Sequence, residues 1–174
     1  MPASIWLQLR GRQERHLERV IGALARAHGT VPFRPHLTVC SVADIAAFDA
    51  AAYAIGADLP IVAAKVAVTG AVITPFRAVF IEIEDTPQLH EFRERLRAIC
   101  GAPELTPPHI SLLYTLDRQT QQPRLDFDAE RLAAIARDCT AQISEHRFTL
   151  ARAVIKHSDG DWRNVRSWRV IRRL

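Results

Sequence analysis

Apolar residues at Ile5, Leu7 and Leu9 alternate with polar ones, except that Trp6 takes the other parity. This predicts an opening strand over Ser4–Leu9 whose second face is not plain solvent. From Gln13 to His28 the spacing changes to that of a helix. Leu17, Val20, Ile21 and Leu24 fall on one side, Arg12, Glu14, Arg15, Glu18 and Arg19 on the other, and Gly29 ends the run. The alanine-rich stretch Val42–Ile55, with Ile45, Phe48 and Tyr53, predicts a shorter helix. Ile61–Ile73 and Phe76–Glu84 are rich in β-branched and aromatic residues, and Thr74-Pro75 between them predicts an antiparallel pair. Asp85-Thr86-Pro87 starts a helix whose buried stripe is Leu89, Phe92, Leu96 and Ile99, ended by Gly101. A further helix is predicted over Asp126–Asp138 around Leu132 and Ile135. Two closing strands, Phe148–Ile155 and Trp162–Ile171, turn at Asp159-Gly160.

One order of elements occurs twice: strand, helix, glycine stop, proline-bearing connection, second strand. It runs from Ser4 to Cys40 and again from Arg77 to Tyr114, with Gly29 and Gly101 72 positions apart and Pro35 and Pro108 73 apart. Each copy ends in the same short pattern, Pro35-His36-Leu37-Thr38-Val39 and Pro108-His109-Ile110-Ser111-Leu112. Side chains alternate faces along a strand, so each histidine looks the same way as the hydroxyl two residues on. Two such polar platforms related by a pseudo-two-fold can meet across one cleft, and two facing imidazoles make an acid and a base. Taken singly, either histidine would be an ordinary strand histidine satisfied by local hydrogen bonds. The matched pair argues for chemistry.

Composition adds bounds. The 174 residues suit one domain spanning 1–174, and 48% apolar content argues against disorder. A net charge of +4 leans mildly toward anionic ligands, and Arg152, Lys156, Arg163, Arg166, Arg169, Arg172 and Arg173 make the last strands basic. Cys40, Cys100 and Cys139 have no metal-like spacing and predict free thiols in a reducing, cytoplasmic setting. Cys40 shares parity with Thr38 but is expected as a buried thiol. His157 is expected on a loop surface. The N-terminus lacks the pattern of a signal peptide, and no run approaches the roughly 18 apolar residues of a membrane helix. No Cys/His cluster has zinc spacing, and no phosphate-binding glycine loop or acidic cluster for magnesium occurs. Neither a cofactor nor a metal is therefore expected.

The paired His-x-Thr/Ser motifs, each preceded by proline and set in a duplicated order, resemble those of the 2H phosphoesterase superfamily. Ser4-Ile5-Trp6, the Phe76-Arg-Ala-Val-Phe80 run, His109-Ile110-Ser111-Leu112-Leu113-Tyr114 and Trp168 are similar to features of its small cyclic phosphodiesterases. The resemblance implies an α+β fold of two similar lobes, with duplicated antiparallel sheets, helices on the outer faces and a central cleft. It implies metal-independent opening of a nucleoside 2′,3′-cyclic phosphate or ADP-ribose 1″,2″-cyclic phosphate to a monoester. His36 and His109 would be catalytic, with His109 the base and His36 the acid, and Thr38 and Ser111 would hold the phosphoryl oxygens. Trp6, Phe76 and Tyr114 are implied as pocket walls. Strand parity puts Tyr114 on the face opposite His109, so it reaches the pocket only where the strand twists or ends. The expected partner is a small cyclic phosphate or nucleotide met by a monomer, with no membrane. RNA ends, opened or joined by a 2′-5′ ligase-like enzyme, are the alternative, and a non-catalytic phosphate- or RNA-binding module is the second.

Overall fold

A computed structural model describes residues 3–42, 50–52, 55, 58–103, 106–158 and 164–173. Among the described residues eight strands form one antiparallel sheet, and its order follows from the duplicated halves. In chain order the elements are β1 (Ala3–Gln8), α1 (Gly11–His28), β2 (Leu37–Val42), β3 (Ile61–Thr74), β4 (Arg77–Ile83), α2 (Pro87–Cys100), β5 (His109–Leu113), α3 (Ala129–Gln142), β6 (Arg147–Leu150), β7 (Arg152–Ser158), a 3₁₀ turn at Val165–Ser167, and β8 (Trp168–Arg173). Across the sheet the strands run β6-β3-β4-β5-β2-β1-β7-β8. The duplicated units β1-α1-β2 and β4-α2-β5 therefore sit side by side, joined where Leu37 of β2 pairs with Ile110 of β5. The two sheets expected from the sequence are continuous through that pair.

Helix ends follow the local chemistry. The Thr86 hydroxyl accepts a hydrogen bond from the Leu89 amide at 3.3 Å, with Pro87 opening α2. Asp128 accepts from the Arg131 amide at 2.8 Å to begin α3. Gly29 and Gly101 close α1 and α2 in the left-handed conformation, at φ 65° and 59°. The helices pack crosswise: α1 lies on β5 and α2 on β2, each against the histidine-bearing strand of the other half, while α3 covers β3 and β4. Leu37, Val39, Ile110 and Leu112 enter one core with residues of α1, α2 and α3. The opposite parity of β2 and β5 is left for the site.

Several expectations shift. The run Phe148–Ile155 is two strands. β6 pairs with β3 near one edge of the sheet and β7 with β1 near the other, with Ala151 alone between them. One residue can link strands at opposite ends of the order only if the sheet curls back on itself, and the Ala151 amide bonds the Gln8 carbonyl at the join. Phe76 lies in the turn between β3 and β4, not in the strand, its amide bonded to the Thr74 hydroxyl. α3 begins later and runs further than predicted, because Asp128 rather than Asp126 is its cap. The helix expected over Val42–Ile55 falls largely outside the described residues, of which 50–52 and 55 are helical. The Asp159-Gly160 turn lies outside them too. Cys40, Cys100 and Cys139 are free and buried. Among the described residues no helix is long and apolar enough to cross a membrane.

Candidate active site

His36 directly precedes β2 and His109 opens β5, flanking the Leu37–Ile110 pair that joins the halves. Their imidazoles are tethered alike. Nδ1 of His36 lies 2.7 Å from the Arg34 carbonyl and Nδ1 of His109 lies 3.0 Å from the Pro107 carbonyl, two residues back in each case. A carbonyl only accepts, so both Nδ1 atoms carry the proton and both Nε2 atoms are left for chemistry. The connections holding those carbonyls are anchored to buried charges on the helices. Glu14 of α1 binds the Arg34 guanidinium at 2.9 Å, and Arg93 of α2 donates to the Thr106 carbonyl.

Both histidines line a cavity of about 530 Å³, together with Thr38, Ser111, Trp6, Phe76 and Tyr114. All seven residues singled out from the sequence thus meet in one place. Tyr114 arrives there through an irregularity that parity alone does not reveal. In the β4–β5 ladder Phe80 faces Ser111 and Val79 faces Leu113, so Leu112 is an extra residue, a bulge that returns Tyr114 to the face of His109. The β1–β2 ladder has the same device. Trp6 faces Thr38 and Ile5 faces Cys40, so Val39 is the extra residue. That bulge brings Ser41 to the cavity and turns Cys40 into the core, where it neighbours Cys100 and its thiol is pushed up by burial.

Burial dominates the electrostatics. His36, 6% exposed, is lowered from 6.5 to about 3, first by desolvation and then by the charges of His109 and Lys156, against the raising effect of its bond to Arg34. His109 is lowered as well, by burial and then by Arg77 and Arg93, against its bond to Pro107. Both imidazoles are therefore held toward the neutral form, each with a cavity cation, Lys156 or Arg77, pressing its proton affinity down. The hydroxyls differ. Ser111 Oγ donates to the Phe76 carbonyl at 2.9 Å, while the Thr38 hydroxyl makes no hydrogen bond among the described residues.

No protein-family model and no curated protein matches the sequence. Solved structures do. One described as a phosphoesterase aligns at TM-score 0.59 and 11% identity, covering 99% of this chain and 96% of its own. E. coli LigT complexed with 3′-AMP aligns at TM-score 0.57 and 13% identity, covering 100% of this chain and 98% of its own. LigT complexed with phosphate gives TM-score 0.56 and 13% identity, over 99% and 94%. The fold is that of LigT.

Within this LigT fold the cavity has walls that sequence reasoning missed. Ser4, Ser41, Arg77, Thr106 and Lys156 line it, as does His157, which is buried in β7 rather than set on a loop. Phe80, fully buried, meets the His109 ring edge-on with centroids 5.7 Å apart and positions it from β4. Phe80 carried a legible signal, being aromatic on the strand next to the second motif. Lys156 and Ser4 did not, because their facing depends on a strand pairing between the two ends of the chain.

Proposed function

We propose that the protein is a metal-independent cyclic phosphodiesterase that opens a nucleoside 2′,3′-cyclic phosphate or an ADP-ribose 1″,2″-cyclic phosphate to a monoester. The observation that carries this reading is the pair of Nδ1-tethered imidazoles on one cavity, each with a hydroxyl two residues on. Water attacks phosphorus in line while one imidazole takes its proton. The P–O bond to one ribose oxygen breaks on the far side, and the second imidazole supplies the proton that oxygen needs. Thr38 and Ser111 hold the non-bridging oxygens as their charge grows.

His109 is assigned as base and His36 as acid. Burial disfavours the protonated form of His36, so its proton comes in with the substrate's negative charge, which offsets that desolvation. With that charge beside it the His36 imidazolium persists until the leaving oxygen, on which negative charge grows, takes its proton. LigT, whose fold this chain shares, has been crystallised with phosphate and with 3′-AMP, which agrees with a phosphate seat in the cleft.

The test is turnover of 2′,3′-cyclic AMP in the presence of EDTA. We expect activity to persist on chelation, and His36→Gln or His109→Gln to lower kcat by about 10²- to 10⁴-fold each. Binding without turnover would return the chain to the class of phosphate binders. A second reading, an enzyme of RNA ends, is favoured by exposed Arg169, Arg172 and Arg173 on β8. Strong preference for an oligonucleotide with the same cyclic terminus would select it.

A further inference from the structure

The cavity has a third polar place, away from the two histidine–hydroxyl corners. Lys156 of β7 faces Ser4 of β1, and Ser4 faces Ser41 of β2, so the three form one row across three strands about 4.8 Å apart. All three line the cavity, Ser41 by virtue of the Val39 bulge. The Ser4 and Ser41 hydroxyl oxygens are 3.2 Å apart. Trp6 and Thr38 form the neighbouring row on the same face. It is two residues along the strand, hence roughly 7 Å away.

Lys156 is half-buried there, and its ammonium lies 5.4 Å from the centroid of the Trp6 ring. Among the described residues no carboxylate pairs with it. The charges acting on it are those of Arg34 and Arg173, both positive, and with burial they lower its pKa. A cation withdrawn from water and facing other cations is stabilised by whatever anion enters beside it. The two hydroxyls supply rotatable donors at the same spot. Bonded to each other they use one proton, which leaves the second for a ligand.

Building on the cyclic phosphodiesterase reading, we propose that Lys156, Ser4 and Ser41 form a second phosphate subsite, and that the preferred substrate is a nucleoside cyclic phosphate that also bears a terminal 5′-phosphate. The row's distance from Thr38 suits two phosphates carried on one ribose. Trp6 lies between the subsites, with His36 on its ring and Lys156 over it. The cavity thereby measures the substrate from its reacting phosphate to its far end.

The experiment compares kcat/KM for 2′,3′-cyclic AMP and for the same compound carrying a 5′-phosphate, in wild type, Lys156→Met, Lys156→Arg and Ser41→Ala. Taking the ratio of the two substrates within each protein removes any effect of the substitution on His36. Wild type should favour the 5′-phosphorylated substrate by about tenfold or more. The ratio should fall close to one in Lys156→Met, stay largely intact in Lys156→Arg and drop partway in Ser41→Ala. Turnover of both substrates with a ratio of one in wild type, or the same ratio in wild type and Lys156→Met, overturns the subsite while leaving the hydrolase reading standing. A tryptophan-fluorescence titration with adenosine 2′-phosphate and adenosine 2′,5′-bisphosphate separates the two ideas in the other direction. Tighter bisphosphate binding that is lost in Lys156→Met supports the subsite even if neither cyclic substrate is hydrolysed, and equal binding of both overturns it.

Discussion

The Trp6 indole lies flat on the His36 imidazole, with ring centroids 3.4 Å apart and planes 7° from parallel. In the other half the corresponding neighbour of His109 is Phe80, which approaches edge-on at 72°. The backbone plan of the halves is shared, down to the bulge three residues after each histidine, but the contact differs. A covering face excludes water from His36, and an edge leaves His109 half-open. Two imidazoles of one chemical kind thereby acquire unequal proton affinities, which a reaction needing one acid and one base can use.

Removing the cover tests this. In Trp6→Leu one face of His36 meets water, and because desolvation is the largest cause of its lowered pKa, the ring should titrate well above about 3, toward the ordinary 6.5. Ring-proton NMR across pH 3–8 reads the shift, and kcat should fall by roughly ten- to a hundredfold as the ring loses its seat. An unchanged titration would assign the depression to the neighbouring charges of His109 and Lys156 instead of to burial.

The same depression makes stability depend on pH. Folded His36 binds its proton near pH 3 and the unfolded chain near 6.5, so below 6.5 the unfolded state takes up the proton first and stability falls as pH falls. At pH 5 the loss from this residue is about 2 kcal/mol. His36→Gln removes it. Urea unfolding at pH 7 and pH 5 should therefore show the wild type losing about 2 kcal/mol more than the variant.

Period-two spacing was enough to place His36 with Thr38 and His109 with Ser111, and glycine and proline positions were enough to reveal the duplicated order, because both are local properties. What sequence could not show depends on partners far along the chain. Each bulge adds one residue, Val39 or Leu112, and so exchanges the faces of everything after it. Ser41 and Tyr114 turn inward and Cys40 turns away, against simple parity. The break at Ala151 is invisible for a similar reason. Phe148–Ile155 reads as one continuous apolar run, and only the competing demands of β3 and β1 divide it.

The two hydroxyls should contribute unequally. Thr38 is uncommitted among the described residues and can turn its proton to a phosphoryl oxygen at once, whereas Ser111 must first give up its 2.9 Å bond to the Phe76 carbonyl. Thr38→Val is expected to lower kcat/KM by about 10²-fold or more, in the range of a lost oxyanion donor. Ser111→Ala should cost about tenfold, since the bond it surrenders offsets the one it makes. Steady-state kinetics on 2′,3′-cyclic AMP decide it. A larger effect at Ser111 would mean that the tether to Phe76 holds the β3–β4 turn in place for catalysis.

Gly70 sets the limit on how closely α3 can approach the sheet. Two effects oppose each other when it is replaced. Alanine restricts the unfolded chain, which alone would stabilise the protein by about 0.4–1 kcal/mol. In the folded state, however, a Cβ at Gly70 would lie 2.1 Å from the Leu132 carbonyl oxygen and 2.5 Å from its carbon. These are backbone atoms of α3, and no side-chain rotation relieves them. The helix must lift from β3, opening the packing of Leu132 and Ala136 in the core. Overpacking of side chains costs roughly 1–3 kcal/mol, and backbone contact belongs at or beyond the upper end. Gly70→Ala should therefore lower the unfolding free energy by about 3 kcal/mol in urea titration. A neutral or stabilising result would show that α3 slides freely on the sheet and that the close approach at Gly70 is incidental to the fold.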